Sequence, residues 1–325
     1  MALIVISSII STTLILFVIY KPLNLANYMN LIDEANQNNN KIHLIDTPKI
    51  GGVAIFILST QIFFSLYLLN IVNKEIVSIY WLIFSFFILG LIDDYINIDP
   101  LKRIILFTLA SIICLYLSDE ILINNIYLEL LDKKINTNDF SYIFTIFCFL
   151  SLQNSFNFSD GVNGNLLTIT FSIMIILVII SFNFILFLFM STILILLYAN
   201  LKNYIFLGNN GSSIISACVS VFLILYHKEH PLLLSAEKIL ILLLLPGIDM
   251  IRVAAIRIFN NKSPFIGDTN HFHHIVFRKI KILFWVPSYI FVTLLLFYLS
   301  NFINIYLILL FQSLIYYGLL IKYKK

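Results

Sequence analysis

Charged residues are scarce in this 325-residue chain: Asp, Glu, Lys and Arg make up 11% of it, against about 25% in an ordinary soluble domain. Hydrophobic residues make up 60%. This composition excludes a soluble enzyme, a disordered chain and a nucleic-acid-binding protein with a large basic face. The three cysteines, Cys114, Cys148 and Cys218, lie in apolar runs without metal-type or disulfide spacing, so they are predicted to be small buried hydrophobes.

Long apolar runs fill most of the chain, and a bilayer span needs about 20 predominantly apolar residues. Continuous runs favour helices, because a membrane β-barrel needs alternating apolar and polar residues. We therefore predict an all-α, polytopic integral membrane protein in which residues 1–325 form a single domain. The predicted transmembrane helices, about eleven by this length criterion, lie near residues 2–20, 50–72, 76–92, 104–118, 141–156, 165–182, 184–200, 213–226, 238–257, 284–300 and 302–321.

The Lys and Arg residues indicate the orientation. One set of loops and ends holds 15 of them and the other set holds 5, which together account for the 20 in the sequence. Because cytoplasmic loops carry the excess of Lys and Arg, the N-terminus is predicted to lie outside and the C-terminus in the cytoplasm. The outer loop of residues 119–140 is expected to hold a short amphipathic helix at the membrane interface.

Polar residues with unusual chemistry gather in the predicted cytoplasmic loops, near residues 21–50, 93–103, 157–165, 201–213 and 257–283. In the first loop, Lys41, His43 and Lys49 precede the glycine pair Gly51–Gly52, which opens a predicted helix. Basic groups ahead of a helix N-terminus suit a phosphate. A solvated loop before a helix is the alternative.

Asp93 and Asp94 end the third predicted span, and Lys102 and Arg103 follow them. Successive helical residues point about 100° apart, so the two carboxylates cannot aim at one atom. One carboxylate is predicted to face the site as a metal ligand or base, while the other orients a basic partner. A carboxylate pair at a helix C-terminus opposes the helix dipole, which argues against a simple cap.

Polar residues recur every three positions at Asn154, Asn157, Asp160 and Asn163. If the segment is helical, these residues lie along one side of it. Asn and Asp oxygens are the hard ligands that Mg²⁺ prefers, and the neighbouring glycines let the backbone approach a phosphate. The segment therefore predicts a site for a metal ion or a phosphate.

The last two segments are rich in glycine and histidine. Residues 206–212 read FLGNNGS, which is by itself a weak glycine-rich turn. Arg257 and Asp268 precede His271, His273 and His274, of which His271 and His274 are predicted to share a helix face while His273 does not. A zinc or copper site would need partners at a recognisable spacing, so the basic loop is predicted to bind a nucleotide diphosphate, with Arg257 as a phosphate clamp.

In this order, the five segments resemble the motifs of the polyprenyl-phosphate N-acetylhexosamine-1-phosphate transferases of glycosyltransferase family 4. The matching segments are KIHLIDTPKIGG, GLIDDY with Lys102, NSFNFSDGVNG, FLGNNGS and RIFNNKSPFIGDTNHFHH. The resemblance implies transfer of a sugar phosphate from a UDP-N-acetylhexosamine to undecaprenyl phosphate, with release of UMP and a requirement for Mg²⁺, for which Mn²⁺ could substitute. It implies the initiating step of a cell-envelope glycan of the O-antigen, capsule or teichoic-acid type. It also implies a bacterial inner-membrane enzyme with a cytoplasmic site and no nucleic-acid partner, while a homodimer stays open.

The resemblance also assigns roles to individual residues. Catalytic roles fall to Asp93, Asp94, Asp160 and Lys102, and metal-binding roles to Asn154, Asn157, Asp160 and Asn209. Substrate-binding roles fall to Lys41, His43, Lys49, Asn154, Asn157, Arg257, Asp268, His271, His273 and His274. The pattern His-x-His-His resembles the branch that uses simple N-acetylhexosamines, whereas the muramoyl-pentapeptide branch has three consecutive histidines.

The chain departs from the family pattern at three positions. Asn209 stands where the family usually has an Asp that is a principal Mg²⁺ ligand, Asn163 replaces a second Asp, and Asn40 replaces an Arg. An Asn offers a carbonyl oxygen but no charge, so weaker Mg²⁺ binding is expected. Two alternatives stay open: a weakened or inactive homologue that binds UDP-sugar or lipid, and a transporter, which the absence of a visible repeat argues against.

Overall fold

The computed structural model describes residues 12–16, 18, 20, 22–33, 47–263 and 270–324, so the predicted site residues Lys41, His43 and Asp268 lie outside the described residues. The helices are α1 (Pro22–Tyr28), α2 (Gly51–Leu68), α3 (Lys74–Ile96), α4 (Pro100–Leu117), α5 (Ser141–Ser159), α6 (Asn165–Ser181), α7 (Phe184–Leu201), α8 (Gly208–Glu229), α9 (Ala236–Phe259), α10 (Phe272–Val276), α11 (Ile282–Leu299) and α12 (Ile305–Lys324). The strands are β1 (Ile32–Asp33), β2 (Thr47–Pro48), β3 (Asn125–Leu128) and β4 (Lys133–Asn136).

Eight helices in the described part of the chain are long and apolar enough to cross a membrane: α2, α3, α4, α7, α8, α9, α11 and α12. Helix α6 is apolar but shorter, and α5 carries Gln153, Asn154 and Asn157 within its length. The chain is thus mostly helical, in agreement with a polytopic membrane protein. Each apolar run predicted from residue 50 onward coincides with a helix. The number of spans and the orientation of the termini stay predictions.

Short polar side chains set where two of these helices begin. Asn73 precedes α3, and its side chain accepts the N–H of Ile76 at 2.9 Å. Asp99 precedes α4 and accepts the N–H of Leu101 at 3.0 Å, while Pro100 is the first helical residue. Such caps satisfy N–H groups that have no partner within the helix. A proline at the first position loses no helical hydrogen bond, so the α3–α4 connection can be short.

The chain divides into two compact units. Unit 1 consists of Met1–Glu120 and Leu188–Cys218, and unit 2 consists of Ile121–Phe187 and Val219–Lys325. In unit 1, α3 packs on α4, and their buried residues Phe86 and Phe107 meet edge to face with ring centroids 4.7 Å apart. Burial of such aromatic pairs is favourable beyond the apolar area that they remove from solvent.

Unit 2 packs its last helices around α9. Ile241 of α9, Leu296 of α11 and Ile308 of α12 belong to one buried cluster. Phe272 of α10 and Tyr316 of α12 belong to a second cluster, with their rings stacked at 5.0 Å. The short helix α10, which contains the histidine segment, is therefore fixed to the last helix of the chain.

The structure corrects the expectation for residues 119–140, where β3 and β4 form an antiparallel hairpin instead of an amphipathic helix. Asn125 pairs with Asn136, and Leu128 pairs with Lys133. The chain reverses near Asp132, which has a positive φ of 42°. Aromatic and β-branched residues such as Tyr127 favour a strand, so the predicted helix is wrong.

Buried charges fix this hairpin to the start of α9. The carboxylate of Glu237 is buried and accepts the N–H groups of Glu129 and Leu130 at 3.1 and 3.4 Å. Lys238 is also buried, forms an ion pair with Glu129 at 3.0 Å and donates to the side chain of Asn301 at 2.9 Å. Because each buried charge has such partners, the cost of removing it from water is offset.

Candidate active site

Asp94 connects three of the five sequence segments within unit 1. Its carboxylate accepts the backbone N–H groups of Asn209 and Asn210, each at 2.9 Å, and the side-chain N–H of Asn210 at 2.6 Å. The same Asn210 side chain donates to the carbonyl of Lys49 at 3.0 Å. Asp94 therefore caps the first turn of α8, where N–H groups lack helical partners and a negative charge is favourable.

Two glycines allow the backbone of this turn to approach α3. Gly208 begins α8 with a positive φ of 70°, and a Cβ there would lie 2.9 Å from Asp94 Oδ2. A Cβ at Gly90 of α3 would lie 2.5 Å from the carbonyl oxygen of Asn209. Larger residues at either position would push Asn209 away from Asp94.

The glycine pair that opens α2 likewise allows a close approach of the backbone before and at the start of α8. Gly51 donates its N–H to the carbonyl of Phe206 at 3.0 Å, and a Cβ at Gly52 would lie 2.6 Å from the backbone nitrogen of Gly211. The residues around 206–211 thus occupy the space beside this pair. The approach of a phosphate to this segment stays a prediction. Lys49, the predicted substrate-binding residue just before it, is half-buried.

Asp93 points away from Asp94, as helical geometry predicted. Its buried carboxylate forms an ion pair with Arg103 at 3.2 Å and accepts the N–H of Ile98 at 2.8 Å. The predicted basic partner is therefore Arg103, whereas Lys102 is exposed. Asp93 stabilises the α3–α4 connection. Each carboxylate oxygen has two lone pairs, so an oxygen that accepts one hydrogen bond can still bind another partner. The catalytic roles of Asp93 and Asp94 therefore stay predictions.

The predicted oxygen ligands of unit 2 lie where α5 ends. Asn154 and Asn157 are helical, whereas Asp160 is the C-terminal cap of α5, and all three side chains are half-buried. Asn154 donates its side-chain N–H to the carbonyl of Leu150 at 3.0 Å. The polar residues spaced three apart therefore share one side of α5 only as far as Asn157, because the helix ends before Asp160.

Gly161 brings this turn against the histidine segment. A Cβ at Gly161 would lie 2.9 Å from His274 Nε2 and closer still to His273 Nε2. The His273 and His274 rings are neighbours, with centroids 4.3 Å apart. The third and fifth sequence segments therefore meet in unit 2, at a contact that has no room for a side chain on residue 161.

His271 lies just before α10, with an extended backbone. Its ring stacks on that of His273, with centroids 5.6 Å apart and planes 6° from parallel. The prediction that His271 shares a face with His274 and not with His273 is therefore wrong, because His271 precedes the first helical turn.

Arg257, in the last turn of α9, lies beside His271. The guanidinium is buried, lies 5.6 Å from the centroid of the Phe158 ring and places its NH2 atom 3.3 Å from His271 Nε2. Phe158 is also 5.1 Å from the His271 ring. A cation held over an aromatic face in this way is stabilised by the ring quadrupole.

His273 is a buried neutral ring in this cluster. Burial lowers its pKa well below the usual value, and the neighbouring rings of His274 and His271 lower it further. The Nε2 atom of His273 is buried against Gly161 and forms no hydrogen bond with any described residue.

Sequence reasoning gave Asp249 no role, and it missed Arg252 and Tyr316. Asp249 is buried and pairs with Arg252 at 2.8 Å and with His271 Nδ1 at 2.9 Å. Tyr316, 67 residues further along the chain, donates its hydroxyl to Asp249 at 2.7 Å. A carboxylate inside an apolar span is itself a signal of function, whereas nothing in the sequence pairs it with a tyrosine so distant.

An apolar cavity of about 400 Å³ lies within unit 2. Residues of β3, α5, α8 and α9 line it, and nearly all of the lining surface is apolar. Its lining includes Ser155 and Met250, which lie within one helical turn of Phe158 and Asp249. Helices α5 and α9 therefore contribute residues both to the cavity and to the histidine cluster.

These features define a polytopic helical membrane protein with two polar clusters, one in each unit. The Asp94 cluster contains predicted site residues of unit 1. The Arg257–His271 cluster, which is bounded by Gly161, contains predicted site residues of unit 2. Residues 76–227 match Glycosyl transferase family 4.

Curated relatives agree with this match. The chain is 28% identical over 284 residues to the undecaprenyl-phosphate alpha-N-acetylglucosaminyl 1-phosphate transferase of Haemophilus influenzae, covering 80% of this chain and 75% of the relative. It is 25% identical over 295 residues to the protein of the same name from Escherichia coli O157:H7, covering 84% and 75%. A phospho-N-acetylmuramoyl-pentapeptide-transferase of Prochlorococcus marinus is 26% identical over 160 residues, covering 46% of this chain and 44% of the relative.

The resemblance drawn from the five sequence segments is confirmed by these matches. The chain is similar to glycosyl transferase family 4 over residues 76–227, and to curated undecaprenyl-phosphate alpha-N-acetylglucosaminyl 1-phosphate transferases over most of its length.

Proposed function

We propose that this protein transfers N-acetylhexosamine-1-phosphate from a UDP-sugar to undecaprenyl phosphate and releases UMP. The observation that carries the proposal is the buried Arg257–His271 cluster, set against the Gly161 turn in a chain that is similar to glycosyl transferase family 4. A buried guanidinium with donors in a fixed fork suits a phosphate, and His271 Nε2 lies 3.3 Å from the NH2 atom of this guanidinium. The names of the curated relatives supply the lipid acceptor and the transferred N-acetylglucosaminyl 1-phosphate group.

The reaction follows from the chemistry of these substrates. A phosphate oxygen of the lipid attacks the β-phosphorus of the UDP-sugar, the bond from that phosphorus to the bridging oxygen breaks, and UMP leaves with the electron pair. Arg257 and the histidines bind the phosphates and the sugar of the donor. Asp93 or Asp94 is predicted to orient or deprotonate the attacking phosphate. A covalent aspartyl-phosphate route is the alternative, and it would retain the configuration at phosphorus.

Oxygen donors at the end of α5 fit Mg²⁺. Among the described residues no group of three or more His, Cys, Asp and Glu side chains could hold a metal ion. Mg²⁺ needs few protein ligands, because it keeps water and binds substrate phosphates. Asn154, Asn157 and Asp160 would supply such oxygens within unit 2, while the part of Asn209 in Mg²⁺ binding stays a prediction from the sequence resemblance. A bound Mg²⁺, or Mn²⁺ in its place, would supply neutralisation of charge on the phosphates.

The apolar cavity of unit 2 suits part of the lipid acceptor. A polyprenyl chain is a flexible hydrocarbon, and its transfer from water into an apolar cavity is favourable in proportion to the area buried. We place the enzyme in the bacterial inner membrane with this site facing the cytoplasm, at the first step of a cell-envelope glycan.

The proposal is tested by UMP release from purified protein in lipid nanodiscs, with undecaprenyl phosphate, Mg²⁺ and a panel of UDP-N-acetylhexosamines. We expect lipid-dependent release that Arg257→Gln lowers at least tenfold, since about 1.4 kcal/mol of lost binding has that effect. Arg278→Gln, at an exposed position, is the matched control and should retain activity. Release that is independent of lipid would contradict the proposal. Binding of UDP-sugar without turnover would favour an inactive homologue, for which Asn209 is the leading cause.

A further inference from the structure

Asp249 lies at the centre of a buried hydrogen-bond network that connects three helices of unit 2. Its Oδ1 accepts from Arg252 at 2.8 Å and from the Tyr316 hydroxyl at 2.7 Å. Its Oδ2 accepts from His271 Nδ1 at 2.9 Å, and both oxygens lie within 3.2 Å of the backbone nitrogen of Phe272. The carboxylate therefore fixes the start of α10 to α9 and α12.

The contact with Asp249 determines which nitrogen of His271 carries the proton. A carboxylate accepts hydrogen bonds only, so Nδ1 of His271 must donate, and the neutral ring presents Nε2 as an acceptor. That Nε2 lies 3.3 Å from the NH2 atom of Arg257. Asp249 thus orients the His271 ring toward the Arg257 guanidinium, whose central carbon lies 5.6 Å from the centroid of the Phe158 ring.

Tyr316 supports the same arrangement from the last helix. Its hydroxyl accepts from Arg252 Nε at 2.6 Å and donates to Asp249, so it occupies the corner between them. Arg252 also donates to the carbonyl of Asn270 at 2.6 Å, one residue before His271. Two hydrogen-bond routes, one through Asp249 and one through Arg252, therefore converge on the backbone and side chain of His271.

We infer that Asp249 and Tyr316 are positioning residues that hold His271 and Arg257 in the geometry that binds the diphosphate of the nucleotide donor. This inference rests on the proposed function. It adds that the hydrogen-bond network on α9 and α12 fixes the side chains that bind the donor. A group that acts through Arg257 should affect the donor and leave the lipid acceptor unaffected. A general loss of folding would affect both substrates.

The test compares Asp249→Asn, Tyr316→Phe and the matched control Tyr317→Phe in nanodiscs. The measurements are KM for UDP-sugar, KM for undecaprenyl phosphate, kcat, and the Kd of UMP by calorimetry. We expect Asp249→Asn to raise the donor KM and the UMP Kd about tenfold, equal to about 1.4 kcal/mol, with the acceptor KM unchanged. Tyr316→Phe should raise both a few-fold, and Tyr317→Phe should change neither.

The outcomes separate this inference from the proposed function. If the wild-type protein turns over and Asp249→Asn or Tyr316→Phe raises both KM values equally, or lowers only kcat, the positioning role is overturned. Should Asp249→Asn fail to fold, Tyr316→Phe decides alone, because it removes one hydroxyl and keeps the ion pair. Wild-type protein that binds UMP but shows no turnover contradicts the proposed function, while a loss of UMP affinity in the two variants would still support the positioning role.

Discussion

The substitution Asp94→Asn separates a structural from a chemical role for this carboxylate. Asp94 accepts two backbone and one side-chain N–H groups at the start of α8. An amide keeps one acceptor oxygen, but its NH2 group would face the N–H of Asn210, which is completely buried. The Asn210 side chain retains the Lys49 carbonyl as a partner, so one backbone N–H loses its acceptor.

The expected cost follows from these contacts. A buried donor without a partner costs about 1–3 kcal/mol, and loss of a negative charge at a helix N-terminus costs about 0.3–1 kcal/mol. We therefore expect Asp94→Asn to destabilise the protein by about 1–4 kcal/mol, as the sum of the two effects. The assay is thermal unfolding of the purified protein, followed by loss of the monodisperse peak in size-exclusion chromatography. Asp139→Asn, at an exposed position, is the control and should leave the melting temperature unchanged.

The outcome also determines how an inactive Asp94 variant is interpreted. If Asp94→Asn abolishes UMP release and lowers the melting temperature, loss of activity says nothing specific about chemistry, because the start of α8 and Asn209 have moved. A variant that melts like the wild type but has no activity would refute the capping argument. It would then support a direct role for Asp94 in the reaction.

Three further predictions concern the two clusters. Gly161→Ala should weaken UMP binding about tenfold, because its Cβ meets the rings of His273 and His274, whereas Gly318→Ala, where a Cβ meets nothing within 4 Å, should bind UMP normally. The lowered pKa of His273 means that the unfolded chain binds the proton more readily, so the melting temperature should fall as the pH drops below about 6.5, and His273→Gln should weaken that dependence. Asn209→Asp should lower the Mg²⁺ concentration needed for half-maximal activity, and an unchanged requirement would argue against Asn209 as a ligand.

Much of the helical architecture could be predicted from the sequence because a membrane span has a length and a composition that can be counted. The hairpin of β3 and β4 shows the limit of that reasoning. The loop was assigned from its amphipathic character, while the local signal of Ile126 and Tyr127 favoured a strand. The buried partners of the hairpin, Glu237 and Lys238, are distant in sequence and give no local signal.

The candidate site could be predicted in its parts more than in its contacts. Helical geometry correctly separated Asp93 from Asp94, but it could not show that Asp94 caps α8, since that contact joins residues 115 apart. The histidine faces were predicted wrongly because His271 precedes α10, and helix boundaries are uncertain by one or two residues. Tyr316 could not be found at all, because a tyrosine in an apolar helix has no pattern that marks it.

The central claim is that the β-phosphate of the donor moves with the sugar. The most direct measurement uses a UDP-N-acetylhexosamine radiolabelled at the β-phosphate, incubated with the purified protein, undecaprenyl phosphate and Mg²⁺, and then extracted into organic solvent. If the β-phosphate is transferred with the sugar, the label will enter the lipid fraction while unlabelled UMP stays in water. Label that remains in the aqueous nucleotide, with sugar alone on the lipid, would show sugar transfer with release of UDP. That result would contradict transfer of the β-phosphate with the sugar.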